Sequence, residues 1–463
     1  MTEQLKLKLN DSKATRWGAL VIVAFTMMAA YYVNDVVAPL KTMLETDLAW
    51  SSTDFGFFTG GYSFLNVFFL MLIWGGLILD RFGIRFTGKL ATILMVGGTA
   101  LEYYAMAGLA GADATLFGIN EIFGYKTGVF VAFADYSIFG VGAEVAGITV
   151  SKIIAKWFKG KELATAMGVQ VALARIGSQA GFSVAIPLAR AFGISTPVLL
   201  GLVLLLGGMI AFFVFAVMDK KLDKQMEAAA IAAGTEDEEE KFSFKDVKNI
   251  LVNPGFWLIA LLCVLFYSCV FPFQKFASEL MIIKYGINEN VAGTFAGLPA
   301  LGALILTPVF GGFIDKRGKS ASIMLLGSAM LICVHFIYAI PDINYWLVAI
   351  VLMISLGIAF SLVPSAMWPA VAKIFPVSQL GTAYALIFFI QNIGLWGIPT
   401  LIGWVLDAYC ISGKKPDGTN MYDYTVPMCI FTGIACLSLI VALLLKKADK
   451  KYGYKLEEPN IQK

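Results

Sequence analysis

Two charges sit deep inside apolar runs, Glu144 in GVGAEVAGITVSK and Arg175 in MGVQVALARIGS. A basic, glycine-containing tip at 156–161 separates the runs. If the runs are antiparallel helices turning at about Lys159, Glu144 lies 15 residues before the turn and Arg175 lies 16 after it. At a rise of about 1.5 Å per residue, both stand roughly 22–24 Å from the tip. Part of that distance is headgroup, so both reach the middle of a hydrocarbon layer about 30 Å thick. A carboxylate and a guanidinium at one depth can pair, whereas either alone is expensive there. The fork of arginine donors fits a carboxylate bidentately, and a glutamate suits an ammonium. The two residues therefore have the chemistry to hold both ends of a zwitterion, giving up their mutual pairing when it arrives. The other reading is a permanent ion pair between two spans.

Further polar groups interrupt apolar runs. Asp35 lies in AAYYVNDVVAPL beside Tyr31, Tyr32 and Asn34, as a contact for a substrate amine, a proton site or a polar residue near the outer mouth. Glu102, in TALEYYAMAG toward the outer end of its span, is read first as such a polar residue. Tyr62 and Asn66 are four apart and share a helix face, lining a cavity or joining helices. In LFYSCVFPFQKFASELM, Tyr267 is the cavity candidate and Pro272 the point of a bend. Lys275 and Glu279, also four apart, are placed to pair on one face, with Lys275 snorkelling outward. Pro364 and Pro369 flank Trp368, which can cap a cavity where the helix bends. Gln391 and Asn392 can bind peptide amides or join helices. His335, the one histidine, reads as a packed residue.

The elements that must hold these groups are membrane helices. Of 463 residues, 59% are hydrophobic and 14% charged, against about 25% charged in soluble proteins. The fold class is all-α and polytopic, with twelve spans at about 17–40, 54–79, 86–109, 129–155, 161–189, 195–218, 253–283, 290–314, 320–340, 344–374, 379–407 and 422–446. With both termini inside, 27 Lys and Arg fall on the inner side and six on the outer, as the positive-inside bias requires. The charged segment 219–252 divides six spans (1–218) from six (253–463) and reads as a cytoplasmic linker with a surface helix. The first apolar run is too long for a cleaved signal and forms the first span. The six cysteines lack metal spacing and read as buried small hydrophobes. A net charge of +3 gives no nucleic-acid signature. There is no nucleophile–base set, P-loop or soluble catalytic domain, so an enzyme is not expected, nor any cofactor or metal.

One motif occurs twice. GLILDRFGIR carries Gly76, Asp80, Arg81, Gly83 and Arg85 after span two, and GGFIDKRGK carries Gly311, Asp315, Lys316, Gly318 and Lys319 after span eight. Glycine permits the tight turn, the cations hold the loop inside, and Asp can receive a helix N-terminus. These gating loops, the twelve spans and the central linker resemble the major facilitator superfamily of transporters. The resemblance implies two six-helix bundles around a cavity opening alternately to either side. Span five, with Gly168, Gly177 and Gly181, only partly matches the superfamily's antiporter signature, because Phe182 and Val184 stand where Pro and Gly belong.

AKWFKGKEL, ARIGS, VFPF, MWPAVA, QLGTAY, IQNIG and the Leu406–Asp407 pair are similar to the lysosomal dipeptide uniporter branch and its bacterial relatives. That resemblance implies transport of short peptides with free termini, recognised by Glu144 and Arg175. Asp35, Tyr32, Tyr62, Asn66, Ser178 of ARIGS, Tyr267, Trp368 and Asn392 complete the expected substrate site. Uniport and proton symport both stay open, as does an organic-anion carrier anchored by Arg175 alone. The expected setting is a monomer in a bacterial inner membrane with both termini cytoplasmic, since the one N-x-[ST] site is Asn10-Asp11-Ser12 on the inner tail.

Overall fold

A computed structural model describes residues 8–109, 115–158, 161–233 and 244–459. Its helices are α1 (Lys13–Val36), α2 (Lys41–Asp47), α3 (Ser52–Phe68), α4 (Met71–Gly108), α5 (Thr127–Trp157), α6 (Leu163–Phe192), α7 (Thr196–Ala233), α8 (Phe244–Val252), α9 (Pro254–Tyr285), α10 (Glu289–Ala296), α11 (Leu298–Arg317), α12 (Ser320–Ala339), α13 (Trp346–Ile374), α14 (Val377–Tyr409) and α15 (Thr425–Tyr452). Two short hairpins, β1 (Glu121–Ile122) with β2 (Tyr125–Lys126) and β3 (Ile411–Lys414) with β4 (Asn420–Tyr422), sit in loops where none was expected.

Among the described residues, eleven helical stretches are long and apolar enough to cross a membrane. Many expose large apolar side chains outward, such as Val203, Ile210 and Val217 on α7, so the protein is an integral multi-pass membrane protein. The twelfth crossing is hidden by two irregularities. The second span is α3 continued by the start of α4 across Leu70, which has a φ of +54°. The third begins where α4 turns at Gly83, φ +75°. Gly318, in the second copy of the motif, has a φ of +71°. Both motif glycines thus occupy backbone space that an L side chain rarely enters, and both end a span there.

Local chemistry fixes several ends. Ser51 and Asp54 form a reciprocal capping box at the start of α3. Asn253 caps α9 ahead of Pro254, and Gly286 ends that helix in a left-handed conformation. The helix does not unwind at Pro272: α9 runs through it, as α13 runs through Pro364 and Pro369. Three cysteines are buried (Cys263, Cys269 and Cys410), but Cys333, Cys429 and Cys436 are exposed, which corrects the reading of all six as interior.

Small residues let the helices approach. A Cβ on Gly177 of α6 would stand 2.0 Å from the Met28 carbonyl oxygen of α1, and one on Gly181 would stand 2.8 Å from that of Tyr32. Gly168, earlier on α6, meets nothing within 4 Å. Overpacking of this kind costs about 1–3 kcal/mol. Gly177→Ala is therefore expected to lower the thermal midpoint in detergent and Gly168→Ala to leave it in place; equal midpoints for the two would refute this account of α1–α6 contact.

The described chain ends meet the helices at one end, called the basic end, where Leu9 bonds to Gln225 and Lys319 and Ser320 bond to the Glu457 and Leu456 carbonyls; the hairpins lie at the far end. At the basic end Arg16 forks onto Glu162 at 2.8–3.2 Å. Arg85 reaches Asp223 at 2.5 Å and Asp219 at 3.5 Å, and Lys156 reaches Asp219 at 2.7 Å. Asp80 pairs with Lys152 at 3.0 Å, while Arg81 lies over the Phe82 ring and Lys316 is exposed. Asp315 acts electrostatically on Lys373, at the basic end of α13. The first motif loop is thus clamped to the basic end of α7 through Asp219 and Asp223.

Bonds between the helices up to α7 and those from α9 onward gather at the far end. Asp407 of α14 accepts from the Ser52 and Thr53 backbone N–H groups at 3.3 and 2.6 Å, which places a carboxylate on the N-terminus of α3. Lys41 pairs with Glu45 and with Glu279 of α9, and all three are buried. Lys415, beyond β3, approaches Glu279 at 3.3 Å and Glu45 at 3.6 Å. Glu279 also accepts from the Tyr424 hydroxyl at 2.5 Å. Arg190 adds an exposed pair with Glu289.

Candidate functional site

Glu144 on α5 and Arg175 on α6 are both half-buried, but they do not pair. The Glu144 carboxylate accepts from the Tyr62 hydroxyl of α3 at 3.1 Å. The Arg175 guanidinium lies 4.8 Å from the Phe360 ring centroid on α13 and 5.5 Å from that of Tyr31 on α1. Among the described residues it finds no carboxylate partner, so the expected resting ion pair is replaced by ring faces. Helix rotation is the physical reason: equal depth brings two charges to one level without turning them toward each other. A guanidinium on aromatic faces keeps its in-plane donors free, and cation–π attraction of about 0.5–2 kcal/mol holds it there.

The remaining candidates divide. Trp368 is half-buried, stacked on Phe388 of α14 at 4.8 Å and edge-on to Tyr384 at 5.8 Å, with the Tyr384 hydroxyl donating to its carbonyl at 3.0 Å. Tyr267 stacks on Phe271 at 5.5 Å and stands edge-on to Phe360 at 6.1 Å, which puts it beside the ring under Arg175. Asn392 is buried; its amide donates to the Phe388 carbonyl at 3.0 Å and its own oxygen has no partner. Asn66 is buried with both amide atoms unpartnered. Tyr32 turns away: its hydroxyl donates to the Pro197 carbonyl at 3.1 Å and its ring packs at Gly201, so it joins α1 to α7. Tyr31, its neighbour, faces the arginine instead.

Asp35 is already occupied. It accepts from Ser178 of α6 and from the Asn34 amide, the latter at 2.8 Å, and lies 3.5 Å from the Lys275 ammonium of α9. Lys275 also donates to the Asn34 carbonyl at 2.6 Å. Lys275 therefore neither snorkels nor pairs with Glu279: it is buried and bridges α9 to α1, while Glu279 takes Lys41. A local i,i+4 pairing worth a few tenths of a kcal/mol on a helix surface gives way to cross-helix partners in the interior. His335 is packed as expected, bonded to the Cys269 carbonyl at 3.0 Å and ringed by Phe273 and Phe431.

Sequence reasoning missed three groups: Phe360 under the arginine, the partners of Glu279 at the far end (Lys41, Glu45 and Lys415), and Asp135 on α5. Asp135 carried the same signal as Glu144, a lone acid inside an apolar run, in VFVAFADYSIFG. Phe360 carried no signal among 36 phenylalanines.

Comparison with known proteins bears on this arrangement. The family model described as Major Facilitator Superfamily matches residues 20–399 and 276–458. The lysosomal dipeptide transporter MFSD1 of Homo sapiens is 29% identical over 451 residues, which are 95% of this chain and 88% of that protein. Its counterpart in Gallus gallus is 32% identical over 281 residues, 58% of this chain and 61% of that one. Among solved structures, the nucleoside transporter NupG superposes with a TM-score of 0.68 at 11% identity, covering 92% of this chain and 99% of that chain. A peptide transporter, POT, solved with sulfate, superposes with a TM-score of 0.68 at 14% identity over 95% of both chains. At such identities these two likenesses speak for the fold.

Proposed function

Since the chain belongs to the major facilitator superfamily, we propose that it is a secondary carrier of dipeptides, in which Arg175 takes the peptide carboxylate and Glu144 the ammonium. The observation that carries this reading is the state of Arg175: a half-buried cation held on ring faces, whose donors meet no hydrogen-bond acceptor among the described residues. An anion arriving in the plane of the guanidinium can form two parallel charge-assisted bonds without displacing a protein partner. Glu144 has given only one oxygen, to Tyr62. The relatives named for dipeptide transport agree with this cargo.

Tyr31, Tyr62, Phe360, Tyr267 and Trp368 frame the remaining walls, and Asn66 and Asn392 have amide capacity for a peptide group. Residues 1–218 and 253–463 act as two units that rock about this midplane site, joined by 219–252. The Lys41–Glu279 set ties the two units together at the far end. By the positive-inside bias the basic end is cytoplasmic. The working unit is a monomer. The bacterial inner membrane is read from loop sequences, whereas the relatives are named for the lysosome; cell fractionation separates the two.

Uptake into proteoliposomes tests the cargo. A labelled dipeptide is expected to enter, and its N-acetylated and amidated forms are expected to enter at least tenfold more slowly. Equal entry of the N-acetylated form would remove the ammonium contact and leave an organic-anion carrier anchored by Arg175.

A further inference from the structure

Glu102 on α4 and Asp135 on α5 are 0% and 1% exposed, and none of their four carboxylate oxygens has a partner in good hydrogen-bond geometry; the nearest donor is the Tyr136 backbone N–H beside Asp135. The two helices touch here. A Cβ on Gly98 would stand 2.7 Å from the Asp135 carbonyl oxygen and 2.7 Å from the Phe139 nitrogen. Glu102 is one turn beyond Gly98 on the same face of α4. Thr99, between them in sequence, is also buried with its hydroxyl unpartnered. Native interiors leave few such atoms unpaired, and an ionised carboxylate without a partner is the costliest kind.

The charges around the pair do not balance. Lys275 acts on Glu102, and Glu102 acts on Asp135; among the described residues no other charged group acts on either. Lys275 is already committed to Asp35, to the Asn34 carbonyl and, at 3.4 Å, to the Tyr136 hydroxyl. One ammonium thus serves a row of three carboxylates: Asp35 of α1, which it approaches at 3.5 Å, Glu102 of α4, on which it acts, and Asp135 of α5, which it reaches only through Glu102. Tyr136, also on α5, is the remaining titratable group at the cluster and donates to the Asn34 carbonyl at 2.7 Å. Neutrality in this interior requires two protons, and Glu102 and Asp135 are the acids with oxygens free to hold them.

We propose that Glu102 and Asp135 form a proton-binding site that couples solute movement to a proton gradient by way of Lys275. The inference rests on the carrier reading above and adds the ion. With both acids protonated, Lys275 stays with Asp35 and ties α9 to α1. When the protons leave, the Glu102 anion, pressed by the Asp135 anion beside it, competes with Asp35 for Lys275, and the α1–α9 tie loosens. The path continues to the cargo: Asp35 also holds Ser178, which is three residues from Arg175 on α6. Solute at the arginine and protons at the acids therefore bias one set of contacts, which is the requirement for coupling.

The test compares wild type, Glu102→Gln, Asp135→Asn and the double variant in proteoliposomes. Each is assayed for dipeptide exchange without a gradient and for accumulation under an inward proton gradient. Wild type is expected to do both. The variants, fixed in shapes that mimic the protonated acids, are expected to exchange while their accumulation ratio falls to one. A wild type that exchanges but ignores the gradient overturns the site and leaves the carrier standing, as does a double variant that accumulates normally. If wild type exchanges no dipeptide, the cargo reading fails, and the infrared carbonyl band of protonated carboxyls at neutral pH decides the site alone. That band is expected in wild type and diminished in the double variant; its persistence there overturns the proposal.

Discussion

Arg175→Ala is expected to weaken dipeptide binding by roughly thirty- to several-thousand-fold. Truncating one member of a buried, hydrogen-bonded charge pair costs about 2–5 kcal/mol, and each 1.4 kcal/mol is about tenfold in affinity. The free protein should tolerate the change, because the guanidinium is held by two ring contacts at 4.8 and 5.5 Å, with no carboxylate to orphan. Arg175→Lys separates charge from geometry: it restores a cation without the planar fork, and its expected affinity lies between wild type and alanine. Glu144→Gln is the complementary arm. It keeps an acceptor for Tyr62 while removing the charge that meets an ammonium, so it should weaken the free dipeptide far more than its N-acetylated form. Equilibrium binding to purified protein measures all three. A loss of less than threefold for Arg175→Ala would remove the arginine from the site.

How much of this was legible in the sequence depends on the range of the interaction. That Glu144 and Arg175 stand at one level followed from counting residues, because helix rise is constant, and both act on Tyr31. The repeated motif was legible because two copies need the same turn, and Gly83 and Gly318 both have positive φ. Which way a side chain faces was not legible. Tyr31 and Tyr32 are neighbours about 100° apart on one helix, and tertiary packing alone sends the first to Arg175 and the second to Pro197. Lys275 and Glu279 had the spacing of a local pair, yet each found its partner on another helix. The capping of α3 by Asp407, 355 positions from Ser52, lay beyond any local reading.

Glu279→Ala carries the other large expected effect, and it acts on conformation rather than on cargo. Lys41, Glu45, Glu279 and Lys415 are two cations and two anions with side chains 1%, 4%, 1% and 15% exposed. Their charges cancel only when α2, α9 and the β3–β4 hairpin are together, which is when the far end is closed. Removing Glu279 leaves a buried excess of positive charge and an idle Tyr424 hydroxyl. Breaking such a pair costs about 3–5 kcal/mol, enough to move the balance between closed and open far ends by roughly two to three and a half orders of magnitude. Spin labels at Glu121 and Asp342, both exposed in far-end loops, should report a longer distance in Glu279→Ala. Transport should fall with it, since a carrier that cannot close one end cannot open the other. Folding damage alone is distinguished by a second change. Lys41→Met with Glu279→Met removes one charge of each sign and leaves Glu45 to Lys415, so closure should return. A double variant as open as Glu279→Ala would mean that shape, not charge balance, shuts the far end.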